Sequence, residues 1–199
     1  VTRLLAWAMD EPACRAFAER RGYRRGRSAH FLRLDLAHGT LPPAPPVRPG
    51  VELRTGADLA DDPRPLFDLD AETVLDEPGD VTAELGDYDA WVEETWNHPL
   101  LDRELTTVAC VDGRPVAFTM ARTDGGTRYE TAMTGTARAH RGRGLARLAK
   151  SRSLRLARAA GLTEAFTGND TGNAPMLAVN TWLGYERCAS EVRCVRELG

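Results

Sequence analysis

The chain has 199 residues, 42 % apolar and 28 % charged, with a net charge of −3. That length suits one ordinary domain and a fraction of another, and the balance excludes a disordered chain. The near-neutral charge gives no bulk attraction to nucleic acid or an anionic membrane, and no apolar run approaches the ~18–20 residues of a membrane span.

Residues 1–8 are largely apolar and read as a strand. Asp10 is placed to cap a helix with Glu11 and Pro12 in its first turn, ending at Gly22. Residues 23–36 then read as extended. About 40 residues with one helix cannot hold a core of their own, so this piece must pack on something else. Leu41-Pro-Pro-Ala-Pro-Pro-Val-Arg-Pro-Gly50 follows. Proline at that density reads as an extended spacer. The expected organisation is therefore residues 1–40, a linker over 41–50, and a main body over 51–199.

In the main body, residues 51–54 read as a strand. Residues 57–104 read as helix and loop, with a helix starting at Asp87-Tyr-Asp-Ala-Trp91. Residues 105–111 and 115–121 read as strands around the turn dipeptide Asp112-Gly113. Residues 128–136 form the strand after this hairpin. A helix over 145–160 closes at Gly161, a strand covers 163–167, a helix covers 172–183, and residues 185–198 are extended. Hairpins followed by strand–helix–strand imply a mixed α/β sheet flanked by helices, with six or seven strands.

The end of the chain repeats its beginning. Gly22-Tyr23 falls on Gly184-Tyr185 at an offset of 162, Ser28 on Ser190, and Leu36 on Leu198. Each Gly-Tyr follows a helix and precedes a strand. Residues 1–36 therefore read as the tail of a first copy and 51–199 as a whole second one. The chain opens on Val1 rather than Met, which agrees with sequence upstream.

Charge is placed unevenly. Residues 57–104 hold 16 Asp and Glu against Arg64 and Arg103, a net of −14. Residues 128–160 hold eight Arg and Lys150 against Glu130, a net of +8. Two such segments suit a cationic ligand near the first and an anionic one near the second. Lys150 is the only lysine among 26 basic residues, and the arginine excess reads as the composition of a bacterial genome. The four cysteines show no CxxC pair and no histidine at ligand spacing, so no metal is expected. Buried free thiols in a reducing cytoplasm are the default.

Arg141-Gly-Arg-Gly-Leu-Ala146 follows a strand and opens a helix. Glycine lets the backbone come close to a ligand, and a helix start offers unpaired N–H groups and the positive end of a dipole. Gly142, Gly144, Leu145 and Ala146 would form a phosphate cradle, with Arg141 and Arg143 adding charge. No Gly-Lys-Ser/Thr closes the loop, and G-x-G-x-x-G is absent.

Arg141, Gly144 and Ala146 match Arg/Gln-x-x-Gly-x-Gly/Ala. Asn173-Ala-Pro-Met176, Asn180 and Leu183-Gly184-Tyr185 follow at family spacing. Over about 51–199 the chain thus resembles the GCN5-related N-acetyltransferase (GNAT) superfamily. Residues 133–146 resemble an actinobacterial branch, and 16–23 the end of another unit, as in tandem members. The resemblance implies acetyl-CoA as co-substrate, with its pyrophosphate on the Arg141–Ala146 loop. It implies that backbone groups at Thr134 and Thr136 pair with the pantetheine and that Asn173 and Asn180 lie along it.

It also implies an amine acceptor, a small molecule or a peptide. Glu130 is the candidate base that takes the amine proton. Strand alternation would put it on one face with Ala132, Thr134 and Thr136. The family's usual acid, a Tyr seven residues after the Asn, is here Asn180, which has no comparable proton to give. Asp76, Glu77, Tyr88 and Trp91 are the candidate acceptor contacts, with Asp80, Glu84, Asp87, Glu93 and Glu94 adding negative charge. A non-catalytic CoA-binding module is the alternative. Monomer and homodimer both fit.

Overall fold

The computed structural model describes residues 2–78 and 85–198, so Asp80 and Glu84 lie outside the described residues. The chain runs as β1 (Arg3–Met9), α1 (Pro12–Glu19), β2 (Arg24–Asp35), β3 (Val51–Thr55), α2 (Arg64–Val74) and α3 (Tyr88–Trp91). It continues as β4 (Leu101–Val111), β5 (Arg114–Thr123), β6 (Arg128–Thr136), α4 (Leu145–Ala159), β7 (Glu164–Asp170), α5 (Ala174–Leu183) and β8 (Glu186–Glu197). Among the described residues the strands form one eight-stranded sheet, in the order β1-β8-β2-β7-β6-β5-β4-β3. Only β6 and β7 pair in parallel; the other neighbours are antiparallel. The mixed α/β class agrees with expectation. The count exceeds six or seven because residues 1–36 add β1 and β2 to the same sheet.

Local chemistry accounts for most element ends. Asp112 and Gly113 both have positive φ, 50° and 75°, as a two-residue hairpin turn needs. Asp87 Oδ1 accepts from Ala90 N at 2.9 Å and caps α3. Asn173 Oδ1 accepts from Met176 N at 3.2 Å and caps α5. The expectation for α1 needs correction. Glu11 occupies its cap position without a side-chain bond. The Asp10 carboxylate is drawn off by Arg15 at 2.6 Å and Arg25 at 3.1 Å.

The weak repeat becomes a pseudo-two-fold axis in the sheet. In the antiparallel β2–β8 pair, Arg24 faces Val195 and Arg33 faces Glu186. Adding 162 to 24 and 33 gives 186 and 195, so the register maps onto its own reverse, with Ala29 opposite Glu191 at the centre. On the flanks β1 pairs with β8 while β7 pairs with β2, which extends the symmetry. Of the first 36 residues, β2 is therefore interior to the sheet and β1 forms its edge. Leu32, Leu34 and Leu36 share one core with Tyr129, Leu154, Leu183 and Tyr185.

Helices α4 and α5 cover that face of the sheet. The other face carries α2, α3 and an aromatic-rich cluster of Trp91, Trp96 and Phe118 with Met120. The proline-rich linker is tied to α4, where Arg158 Nη2 donates to Gly39 O at 2.5 Å and Arg155 donates to Pro42 O. Cys110 and Cys194 are buried and unbridged, whereas Cys188 is exposed, against the default of burial, because it lies where β8 leaves the core.

Removing residues 1–40 would take β2 from between β7 and β8 and three buried leucines from the core. Each leucine contributes about 1.5–3 kcal/mol, a large share of a domain's net stability. Residues 41–199 alone should lose the single cooperative melt of the full chain, measured by far-UV circular dichroism.

Candidate functional site

The site begins with a break in strand pairing. β6 and β7 run in parallel only over Arg128–Thr131 and Glu164–Thr167. Against β5, Met120 faces Met133 and Ala121 faces Thr131, so Ala132 is left over as a bulge. A bulge moves every later residue to the opposite face. Before it, Tyr129 lies on the α4 side, its hydroxyl 2.7 Å from Ser153 Oγ. After it, Thr134 lies on that side, 3.2 Å from Thr119 Oγ1, while Met133 joins the aromatic cluster opposite. Gly135 also faces α2, so closely that a Cβ there would collide with Thr73 Oγ1 and lie 2.6 Å from Phe118 Cε1.

Past the bulge, β6 stays with β5 while β7 stays with β2, and a wedge opens between them. It holds a cavity of about 900 Å³. Thr131 to Thr136 line one side, Thr167 to Asn169 the other, and Met176 and Val179 of α5 close over it. The Arg141–Arg147 segment stands at the mouth. Gly142 and Gly144 have φ of 72° and 77°, a backbone state that L side chains rarely adopt. Nothing lies within 4 Å of where their Cβ atoms would stand, so the loop presents bare backbone. α4 starts at Leu145 with no side-chain cap, which leaves its first N–H groups for a ligand. These features fit a long coenzyme with a pyrophosphate at one end.

The structure redistributes the expected residues. Thr134, Thr136, Arg141, Gly142, Arg143, Gly144, Leu145, Ala146 and Asn173 all line the cavity. Asn180 does not: it is buried behind the wall, where its amide donates to Asn169 Oδ1. Glu130 is exposed and lies outside the cavity lining. The bulge places it on the opposite face from Thr134 and Thr136, so the alternation argument is corrected there. Trp91 is a core residue, 2 % exposed, that stacks on Trp96 and donates to Asp70 Oδ2 at 2.9 Å. Tyr88 packs beside it under Arg64.

Asp76 lines the cavity but is already engaged. Arg138 Nε and Nη2 donate to it at 2.7 and 2.8 Å, and Arg141 Nη2 at 2.5 Å. These bonds hold its carboxyl well below the usual range and tie the end of α2 to the glycine loop. Glu77, next in sequence, is exposed as a residue but lines the cavity, where loss of hydration around its carboxyl pushes its pKa up against the pull of Arg27.

Sequence reasoning passed over Lys150. It projects from α4 between β6 and β7, lines the cavity and is 1 % exposed. Nζ lies 3.4 Å from Thr167 Oγ1 and 5.4 Å from the Tyr185 ring centre. Among the described residues no carboxylate pairs with it, and burial pulls its pKa down to about 7. Its signal in the sequence was to be the one lysine in an arginine-rich chain. Asp70 was passed over as well. It is 4 % exposed on α2, and burial raises its pKa to about 6 despite the Trp91 bond.

A model of the acetyltransferase (GNAT) family matches residues 67–185. No curated protein matches the chain. Among solved structures, a GCN5-related N-acetyltransferase from Sphaerobacter thermophilus is similar at a TM-score of 0.79 and 19 % identity, over 98 % of this chain and 59 % of that one. One from Kribbella flavida is similar at 0.67 and 21 %, over 98 % and 69 %. A tandem GNAT protein from the clavulanic acid biosynthesis pathway is similar at 0.70 and 23 %, over 100 % and 65 %. The chain therefore spans about six- to seven-tenths of these proteins, and at these identities the likeness carries the fold. No helix among the described residues is long and apolar enough to cross a membrane, and no described group of His, Cys, Asp or Glu could hold a metal ion.

Asp70 sets a pH dependence of stability. Its carboxyl titrates near 3.8 when unfolded and near 6 when folded, so the folded state binds more protons between those values. Stability therefore falls as pH rises from about 4 to 6. Asp70→Asn keeps an acceptor for Trp91 and should remove that loss. The variant should melt higher than the parent at pH 8, by up to about 3 kcal/mol, and equally at pH 3.5, measured by thermal denaturation.

Proposed function

The chain belongs to the acetyltransferase (GNAT) family, and from that premise we propose that it moves an acetyl group from acetyl-CoA to the amine of a cationic small molecule or peptide. The observation that carries this reading is the wedge between β6 and β7 with the bare glycine loop at its mouth. A bound acetyl-CoA would supply an activated thioester. The N–H groups from Gly142 to Ala146 hold its pyrophosphate, with Arg143 adding charge and Arg141 fixed by Asp76. Backbone groups of Thr134 and Thr136, released from pairing with β7, take the pantetheine as a strand takes a neighbour. Met176 and Val179 exclude water along it.

The acceptor reaches the thioester from the α2 side. Glu77 is the carboxyl we assign to draw in its ammonium and receive its proton. It lines the cavity, and its raised pKa brings its proton affinity closer to neutral pH. Glu130, the candidate from sequence, stands on the same side of the sheet but outside the cavity lining.

We further propose that residues 1–40 are the end of a preceding GNAT unit of actinobacterial tandem type, that 41–50 link it to the next, and that 51–199 form the catalytic one. The pseudo-two-fold axis supports this. On one flank β7 is covered by β6; at the equivalent flank β1 is an edge with Leu4, Leu5, Trp7 and Met9 exposed. A parallel strand of the preceding unit fits that edge. Four unbridged cysteines support a reducing cytoplasm.

Calorimetry with CoA and acetyl-CoA tests the coenzyme assignment. Gly144→Val, which puts a branched side chain at positive φ in the loop, should weaken CoA at least tenfold, about 1.4 kcal/mol, with the fold intact. Acetyl transfer to a panel of amines tests the reaction, and binding without turnover would favour the non-catalytic module. With an accepted amine in hand, Glu77→Gln should lower kcat at least tenfold and remove the fall in rate at low pH. Glu130→Gln should leave that profile in place; the reverse pattern would return the base to Glu130.

A further inference from the structure

The cavity narrows to the point where β6 and β7 part, beside Thr131 and Thr167. A thioester lying in the wedge with its pyrophosphate at the mouth has its sulfur toward this apex. Transfer expels that sulfur as a thiolate, which needs a proton. Besides Lys150, the charged and titratable residues of the lining are Arg48, Asp76, Glu77, His140, Arg141, Arg143 and Arg147, with Glu77 already assigned to the acceptor's proton. At the apex the cavity is lined by Thr131, Ala132, Thr167, Gly168 and one ionisable group, Lys150. Asn180 donates to Asn169 Oδ1, and an amide gives up no proton at neutral pH.

Lys150 is also an expensive residue to keep for packing. A buried ammonium without a carboxylate is normally replaced or paired. Tyr185 before β8 faces it, and Tyr129 of β6 bonds Ser153 one turn along α4; both are buried with raised pKa values and so neutral. Thr167 of β7 offers a hydroxyl and the Tyr185 ring its face. The amine is thus held by weak partners at the closed end of the cavity.

Resting on the acetyl-CoA reading, we propose that Lys150 is the acid that protonates the departing thiolate. As the acceptor nitrogen bonds to the carbonyl carbon, the C–S bond breaks and its electron pair leaves on sulfur. An N–H of the Lys150 ammonium passes its proton to that sulfur. The neutral amine then regains a proton from water. The pKa of about 7 suits the task, since a thiol holds its proton more tightly, with a pKa near ~8.5.

The single lysine makes the test direct. NMR of protein labelled only in lysine side chains gives one signal, read from pH 5 to 10 in the full chain. Lys150 should titrate near pH 7, and acetyl-CoA should shift both the signal and its midpoint. Release of CoA thiol, to an accepted amine or slowly to water, should fall as pH rises through that midpoint. Lys150→Met should lower kcat at least tenfold, hold the KM for acetyl-CoA within threefold, and lose that limb of the profile.

A signal unmoved by acetyl-CoA that calorimetry shows to be bound would overturn the assignment. So would an unchanged rate profile in Lys150→Met. An acetyl group on Lys150 in the intact mass would make it an acceptor instead and reject the acid role. Failure of the parent protein to bind CoA at all would reject the coenzyme reading itself.

Discussion

Two parallel strands that pair for four residues and then separate leave backbone donors and acceptors facing a wedge. Buried N–H and C=O groups are costly without partners, so such a gap must be filled by water or by a ligand that resembles a strand. The parting of β6 and β7 has an identifiable cause. The bulge at Ala132 keeps β6 on β5 and turns it away from β7, while β7 is held by β2. Gly135 then lets α2 press against β6 from the far side. The cavity, its glycine-lined mouth and the α5 wall are all arranged around that separation.

The same wedge depends on the beginning of the chain. β2 sits between β7 and β8 and gives Leu32, Leu34 and Leu36 to the core beneath the site. Without it β7 would have no antiparallel neighbour to hold it away from β6. A segment that looks peripheral in sequence therefore fixes one wall of the cavity. Its other strand, β1, ends the sheet with apolar side chains in solvent, a costly edge for a chain alone in water.

Three buried or partly buried charges show three different settlements. Asp76 is held by two arginines and is structural, joining α2 to the loop. Asp70 has one neutral donor, Trp91, and keeps its proton toward neutral pH. Lys150 has a hydroxyl and an aromatic face, and stays without a carboxylate among the described residues. Charge counting over segments put all three into two opposed blocks. Their roles differ because burial and the nearest partner, not block charge, decide each protonation state.

The amino-acid sequence alone determined most elements, because turn glycines, caps and apolar spacing act within a few residues. Asp112-Gly113, Asn173 and the Arg141–Ala146 loop could be read that way, and so could the repeat at an offset of 162. It could not place Glu130, since the bulge that reverses the strand's faces arises from pairing with β5. Nor could it show Trp91 as core, Asn180 as hidden behind Asn169, or Lys150 as the buried amine of the cavity. Those depend on which strands lie side by side and what covers them. That is settled by contacts between elements, from Asn180 with Asn169 and Lys150 with Thr167 to Phe31 with Gly168 far along the chain, and only the folded chain brings them together.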